Sequence, residues 1–376
     1  MAEWPWGWEP DGDALYLIYR WMIDSFKRAT KPRGGKDGYK PMLRIVAIST
    51  ALCTLSAFAP ASAVAADTKI VIAAPGIPPI FASVILYVAD KEGYFNKYGA
   101  NVEIRPFDTG TAAARAVIAG DIDMALSPSA LVINQVSNTG VGLVAIYGMV
   151  NSDMVLASVD PSKTSCKDVV GQPVGVDTVG GARSIALRTM LAGGCPGVAI
   201  DQVQQVALSS NVGPAMIGGS LNFGVLHLDD VATVEAAGKK VNLILTISKT
   251  DPNGHYLVFV VRQDKLKTNR DAYVRAMAAL IDATRFIHYL KNADRVAADA
   301  VITGHTAAVS KATIKPLLDI DYWPVDDDGL DRPRLERLIA LMKKVGGIKT
   351  EKEPVKYDRL VDQTVWHDAI ELAKKH

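Results

Sequence analysis

Two eleven-residue stretches lying 99 positions apart constrain the fold more than any other part of the chain. Ala116-Val-Ile-Ala-Gly-Asp-Ile-Asp-Met-Ala-Leu126 aligns with Ala215-Met-Ile-Gly-Gly-Ser-Leu-Asn-Phe-Gly-Val225. In each, an apolar helical run stops at a glycine, Gly120 or Gly219, which can take the left-handed conformation that closes a helix. A short buried strand follows. One supersecondary unit used twice predicts two similar lobes.

The flanking sequence extends the alternation. Lys69 to Ala74 reads as a strand ending at the breaker Pro75-Gly-Ile-Pro-Pro79. Phe81, Val84, Ile85 and Val88 then recur at helical spacing. Val102–Phe107, Thr111–Ala119 and Asp123–Leu126 read as strand, helix and strand. Pro173–Asp177, Ala182–Leu191 and Val203–Leu208 repeat that order. Short strands with intervening helices imply mainly parallel sheets covered on both faces, an α/β architecture. Val241–Ser248 and Tyr256–Arg262 are further strands. A long helix carries Tyr273, Met277, Leu280, Ile281, Thr284 and Ile287 on one stripe. Helices around 294–302, 335–345 and 360–374 are expected to fold back on the first lobe. The chain therefore crosses between lobes twice, near 153–156 and 254–258. Lobe 1 is expected to comprise residues 67–154 and 257–376, and lobe 2 residues 155–256. A two-strand hinge of this kind leaves a cleft.

Upstream, Met42-Leu-Arg44 leads into an apolar run from Ile45 to Ala59, then Ala63-Val-Ala-Ala66. A positive start, a short apolar stretch and small residues at the cut site form an export signal, expected at 42–66 and removed on secretion to the periplasm. Residues 1–41 fit no such signal and are expected to be a mis-assigned start or a disordered extension. Taking the 8 basic and 6 acidic residues of 1–66 from totals of 41 and 40 leaves 33 against 34. That balance provides no basic stripe for nucleic acid. Cys53 lies inside the signal. Beyond it only Cys166 and Cys195 remain, an even pair in an oxidising compartment, expected either to be bonded or to stay as two buried thiols.

The run Tyr87-Val-Ala-Asp-Lys-Glu-Gly-Tyr-Phe-Asn-Lys-Tyr-Gly-Ala-Asn-Val102 resembles a segment of periplasmic substrate-binding proteins of the sulfonate, taurine, nitrate and thiamine-pyrimidine group, the SsuA-like family. Thr109-Gly-Thr-Ala-Ala-Ala, the Ala-Gly-Asp-Ile-Asp segment and Cys166-Lys-Asp-Val-Val-Gly-Gln-Pro-Val-Gly-Val continue the resemblance in order. It implies a two-lobed periplasmic binding protein of type II and a monomeric receptor. Such a receptor hands a small solute to an ABC permease at the inner membrane. It leaves the solute open, since the group takes sulfonates, nitrate, pyrimidines and aromatic acids.

Ligands of doubly wound sheets sit beyond the carboxyl ends of the strands. Pro75, Gly76, Ile77 and Phe81 follow the first strand. Thr109, Gly110 and Thr111 follow the second and open a helix, whose N–H groups suit an oxyanion. Ser127 and Ser129 follow the third. Opposite them stand Thr178, Gly180, Gly181, Ala182 and Arg183, then Ser209, Asn211, His227 and Asp229. Each has a plainer role available: helix capping for Thr109 and Thr178, turn formation for the glycines, a structural histidine for His227, core packing for Phe81. Asp229 is a surface charge or the receiver of a ligand amine.

Catalytic signatures are missing from the sequence: no Gly-x-Ser-x-Gly elbow, no phosphate-binding lysine loop, no His-Glu-x-x-His. No metal and no cofactor is expected. The expected solute is a small organic anion, sulfonate or carboxylate. A neutral pyrimidine-like heterocycle is the second reading, and a fold-sharing lyase or synthase the third.

Overall fold

The computed structural model describes residues 68–344 and 346–376; the export signal, Cys53 and residues 1–41 lie outside them. Among the described residues, ten strands form two five-stranded sheets. The first, ordered β2-β1-β3-β10-β4, contains β1 (Ile70–Pro75), β2 (Val102–Phe107), β3 (Met124–Pro128), β4 (Leu143–Met149) and β10 (Leu257–Arg262). The second, ordered β7-β6-β8-β5-β9, contains β5 (Val155–Ser158), β6 (Pro173–Val176), β7 (Gln204–Ala207), β8 (Phe223–Leu226) and β9 (Asn242–Thr246).

One strand in each sheet runs against the others, and it is the strand that has just crossed from the other lobe. β10 is antiparallel to β3 and β4, pairing Leu257 with Pro128 and Met149. β5 is antiparallel to β8 and β9, pairing Val155 with Leu226 and Thr246. The carboxyl ends of the other strands therefore all lie at the two crossings, residues 150–154 and 247–256. Those crossings are joined by Tyr256 N–H donating to the Val150 carbonyl (3.1 Å) and Ile247 N–H to that of Met154 (3.0 Å).

The helices that matter below are α1 (Val84–Lys91), α2 (Gly110–Ala119), α3 (Ser129–Thr139), α4 (Ala182–Gly194), α5 (Val212–Ile217), α6 (Leu228–Ala236), α7 (Arg270–His288), α8 (Ala307–Asp319), α9 (Arg332–Lys344) and α10 (Thr364–Ala373). Strand alternation buries both faces of each sheet. On one face of the first, Ile70, Ile72, Leu126 and Phe259 meet α1, α7 and α10 through Ile85, Met277, Leu280 and Val365. On the other, Ala73, Ala125, Val258 and Val260 meet α2, α3 and α9 through Val117, Ile133 and Leu335. In the second sheet Val174, Val176 and Phe223 face Leu187 and Met190 of α4, while Val155 and Ala157 face Val212 of α5 and Val234 of α6. Cys166 and Cys195 are joined by a disulfide, their Cα atoms 5.9 Å apart.

The internal repeat is structural. α2 with β3 and α5 with β8 occupy the same third place in their sheets. Gly120 (φ +89°) and Gly219 (φ +75°) both sit in the left-handed region after their helices. The tail differs from expectation. α9 and α10 do cover the first sheet, but α8, which the sequence reading did not place, lies against α6 of the second lobe. The tail thus touches both lobes.

Candidate functional site

The edge where both sheets end carries the candidate residues, and the structure sorts them into two groups. On the first lobe, Gly76 follows β1 at φ +96°, where an added Cβ would lie 2.5 Å from the Pro78 carbonyl oxygen. Only glycine fits that turn. It leaves Ile77 63% exposed at the rim, while Pro75 and Phe81 are buried. Phe81 packs on Trp323 and on the His305 ring, at centroid distances of 6.3 and 6.5 Å. Thr109 caps α2, its Oγ1 accepting from Ala112 N–H (3.1 Å). The N–H groups of Gly110 and Thr111 have no partner within the helix. Ser127 Oγ is turned inward and donates to the Gly110 carbonyl (3.1 Å).

Ser129 is also buried, 2.8 Å from His255 Nδ1, and His255 Nε2 lies 2.8 Å from the Gly329 carbonyl. A carbonyl only accepts, so Nε2 carries the proton and Nδ1 accepts from the Ser129 hydroxyl. Burial depresses the His255 pKa to about 4. Nucleophile and base are within reach here, yet both are buried and the outer nitrogen is already held. The pair clasps the second crossing to α3 and to the 324–330 loop.

On the second lobe, Thr178 and Gly180 are exposed, and Gly180 holds φ +82°. Gly181 precedes Ala182, the first residue of α4, and an added Cβ there would meet Thr178 Oγ1 at 2.3 Å and Asp177 Oδ2 at 2.7 Å. Asp177 thus occupies the amino end of α4, its Oδ1 accepting from Arg183 N–H (3.2 Å). Arg183 is buried, 8% exposed. Its Nη1 donates to the Val225 carbonyl (2.9 Å) and pairs with Asp230 Oδ2 (2.9 Å). Burial opposes its charge, but Asp230, Asp229 and Asp177 outweigh burial and hold its pKa up. Ser209 (φ +52°) and Asn211 are exposed beyond β7.

His227 and Asp229 belong to a buried polar knot whose other members the sequence reading missed. His227 Nδ1 donates to Asp153 Oδ1 (2.8 Å), and Leu228 N–H to Asp153 Oδ2 (3.2 Å). Asp153 closes the first crossing, so it fixes the start of α6 to the hinge. His305, from the loop before α8, places Nε2 2.9 Å from Asp229 Oδ2 and Nδ1 3.0 Å from Thr233 Oγ1. Thr233 Oγ1 also lies within hydrogen-bonding distance of the Asp229 carbonyl, to which it donates (2.8 Å). Burial works against a charge on His305, but Asp229 outweighs it and raises the pKa. Asp153 does the same for His227. Burial likewise resists ionisation of Asp229, yet His305, His227 and Arg183 bring its pKa below the ordinary value. Tyr256 and Tyr322 lie in the same knot, their hydroxyls pushed well up by burial and then by Asp153. Asp153 and His305 have no local motif. They are separated from their partners by 74 and 76 positions, and only the crossing geometry joins them.

A surface hollow of about 430 Å³ lies elsewhere, lined by residues 197–199, Asp201 and Gln202 near the amino end of β7. It is shallow and gathers no buried polar side chain, so strand order rather than hollow size locates the site. Among the described residues no His, Cys, Asp or Glu cluster could hold a metal ion. No helix among them is long and apolar enough to cross a membrane.

Two sheets in reciprocal strand order, hinged by two crossings, define the two-lobed periplasmic binding protein fold. The chain belongs to the NMT1/THI5-like family, whose model matches residues 81–289. Solved structures share the fold at low identity. A putative sulfonate ABC transporter protein, the periplasmic sulfonate-binding SsuA of Methylobacillus flagellatus, superposes with TM-score 0.62 at 14% identity, covering 82% of this chain and 95% of that one. The periplasmic nitrate-binding protein NrtA of Synechocystis gives 0.62 at 14%, covering 82% and 90%. DszB in complex with biphenyl-2-sulfinic acid gives 0.55 at 14%, covering 81% and 99%. No curated protein matches the chain in sequence.

Proposed function

We propose that this chain is an exported solute receptor that captures a small organic anion, sulfonate or carboxylate, between its lobes and delivers it to an ABC importer. The observation that carries the reading is the start of α2. At the carboxyl edge of the first sheet, the N–H groups of Gly110 and Thr111 are open to an oxyanion while Thr109 holds the turn. The structural neighbours support it in kind, since their names record a sulfonate, nitrate and a sulfinate. Arg183 and the start of α4 take no part, because Asp230 and Asp177 already occupy them. The anion is therefore held by neutral donors of lobe 1. The receptor acts as a monomer in the periplasm, reached through the export signal at 42–66.

Calorimetric titration with short sulfonates and carboxylates, paired with mass spectrometry of the recovered solute, tests this directly. Saturable binding with the solute returned intact is the expected result. Conversion of the solute would mean a lyase or synthase instead.

A further inference from the structure

We infer that the lobes turn about two residues, Ser152 on the first crossing and Asp251 on the second, and that Arg334 and Arg337 of α9 are positioning residues that confine the bend to them. This rests on the reading of a receptor that closes over its solute, and specifies where its hinge bends. A hinge is a few residues that absorb the φ and ψ change while the chain on either side stays fixed to its own lobe. On the first crossing, the Val150 carbonyl accepts from Tyr256 N–H (3.1 Å) on the lobe-1 side. Asn151 Nδ2 donates to the Ile320 carbonyl (2.7 Å), and Asn151 Oδ1 accepts from Arg334 Nη1 (3.1 Å). Asp153 is already fixed to lobe 2 by His227 and Leu228 N–H, and the Met154 carbonyl takes Ile247 N–H. Ser152 lies between the two anchors.

The second crossing repeats the pattern. The turn at Ile247–Thr250 is seated on lobe 2, Ile247 against its core and Thr250 against the end of α4, where a Cβ on Gly193 would lie 2.3 Å from the Thr250 carbonyl oxygen. From Asn253 the chain is held to lobe 1. The Asn253 carbonyl accepts from Arg337 Nη1 (3.2 Å) and the Gly254 carbonyl from Arg334 Nη1 (3.4 Å), while His255 is clasped to Ser129 and Gly329. Asp251 joins the two sides. Its N–H donates to the Ile247 carbonyl (2.8 Å), its carboxylate pairs with Arg337 Nη2 (2.7 Å), and its backbone (φ −137°, ψ 66°) is neither helical nor extended. Pro252 fixes the next φ, and Gly254 N–H closes that turn on the Asp251 carbonyl (3.0 Å). Arg334 and Arg337 lie one turn apart on α9, so a single helix of lobe 1 reaches both crossings. The tail adds no third pivot. Ile314 and Leu317 seat α8 in the lobe-1 core, and its approach to lobe 2 is by side chains, which can part where a crossing must bend.

Nitroxide labels at Ile77→Cys and Val179→Cys, exposed residues at the carboxyl edge of each sheet, read the opening of the full chain by double electron–electron resonance with no solute added. In this labelled background, Arg334→Gln with Arg337→Gln should broaden the distance distribution about twofold, because the bend then spreads along both crossings. Arg332→Gln removes another arginine of α9, one that pairs with Glu336 and Asp358 instead of a crossing, and should leave the distribution unchanged. Ser152→Gly, which loosens the pivot itself, should broaden it as well. No broadening in the double variant, or equal broadening by Arg332→Gln, overturns the positioning role. No broadening in Ser152→Gly overturns the pivot, and because that variant leaves α9 intact, a double variant that does not fold cannot obscure the result. Since no solute is used, failure of the anion reading would leave this outcome untouched.

Discussion

Buried ionisable side chains decide how individual residues of this protein respond to pH. His255 is neutral in the fold, with its pKa lowered to about 4 by burial, and titrates near 6.5 once unfolded. Between those values the unfolded chain binds the extra proton, so this residue removes roughly 3 kcal/mol of stability as pH falls from 6.5 to 4. Asp299 works in the opposite sense. Its pKa is raised to about 6 by burial and by Glu92, so it favours the fold more as pH falls through that window. The difference between wild type and His255→Gln isolates the first effect: the variant's denaturation midpoint should depend less on pH between 4 and 6.5. Arg183 offers a second test at this scale. Arg183→Leu leaves the half-buried Asp230 with only the His227 N–H, and should cost about 1–3 kcal/mol in denaturant unfolding. Anion affinity in the surviving folded fraction should hardly change. Reading Arg183 as a ligand contact was natural from sequence, since a residue in the first turn of a helix after a Gly-Gly loop is usually exposed. Asp230, 47 positions on, turned it inward, and no local pattern announces that pairing.

At the scale of elements, most of the fold was legible. Strand alternation, glycine stops and the repeat located β1, β2, β3, β6, β8 and their helices, because each is written in contiguous residues. α8 was not, since Pro316 interrupts the helical pattern and its apolar face is short. β4 and β5 went unnamed for another reason: both are buried throughout and lack the alternation that marks a half-exposed strand. Two elements meet without room to spare at Gly148 of β4 and Gly329. A Cβ on Gly148 would lie 2.1 Å from the Gly329 carbonyl oxygen. Gly148→Ala should therefore cost roughly 1–3 kcal/mol through forced backbone shifts. The disulfide ties the turn before β6 to the end of α4 across 29 positions. Reduction, or a Cys166→Ser and Cys195→Ser double variant, should lower stability by about 3–4 kcal/mol on a loop-entropy basis. Urea unfolding with and without reductant measures it, with the double variant insensitive to reductant.

At the scale of the whole molecule, His305 is one of the places where the two lobes meet. Its ring joins the loop packed on Phe81 to Asp229 of the opposite lobe. For a receptor that closes over its solute, a contact across the lobes adds its own free energy to closure and so to binding. His305→Ala should weaken solute binding by about tenfold, in line with loss of one charge-assisted hydrogen bond. The pKa of His305 is raised above its ordinary value, so the charged contact is fully present below the ordinary histidine range and fades as pH climbs through the raised value. Affinity should fall on the alkaline side in the wild type and stay flatter in the variant. The measurement that bears most directly on the account is thermal unfolding of the full chain against sulfonates, carboxylates, nitrate and pyrimidines. Solute at 100 times its dissociation constant stabilises a receptor by ~2.7 kcal/mol, a rise of several degrees for a chain of this size. The account predicts that rise with one class of organic acid and none with pyrimidines. A folded protein whose melting point no acid moves, or one that consumes the acid, would contradict it.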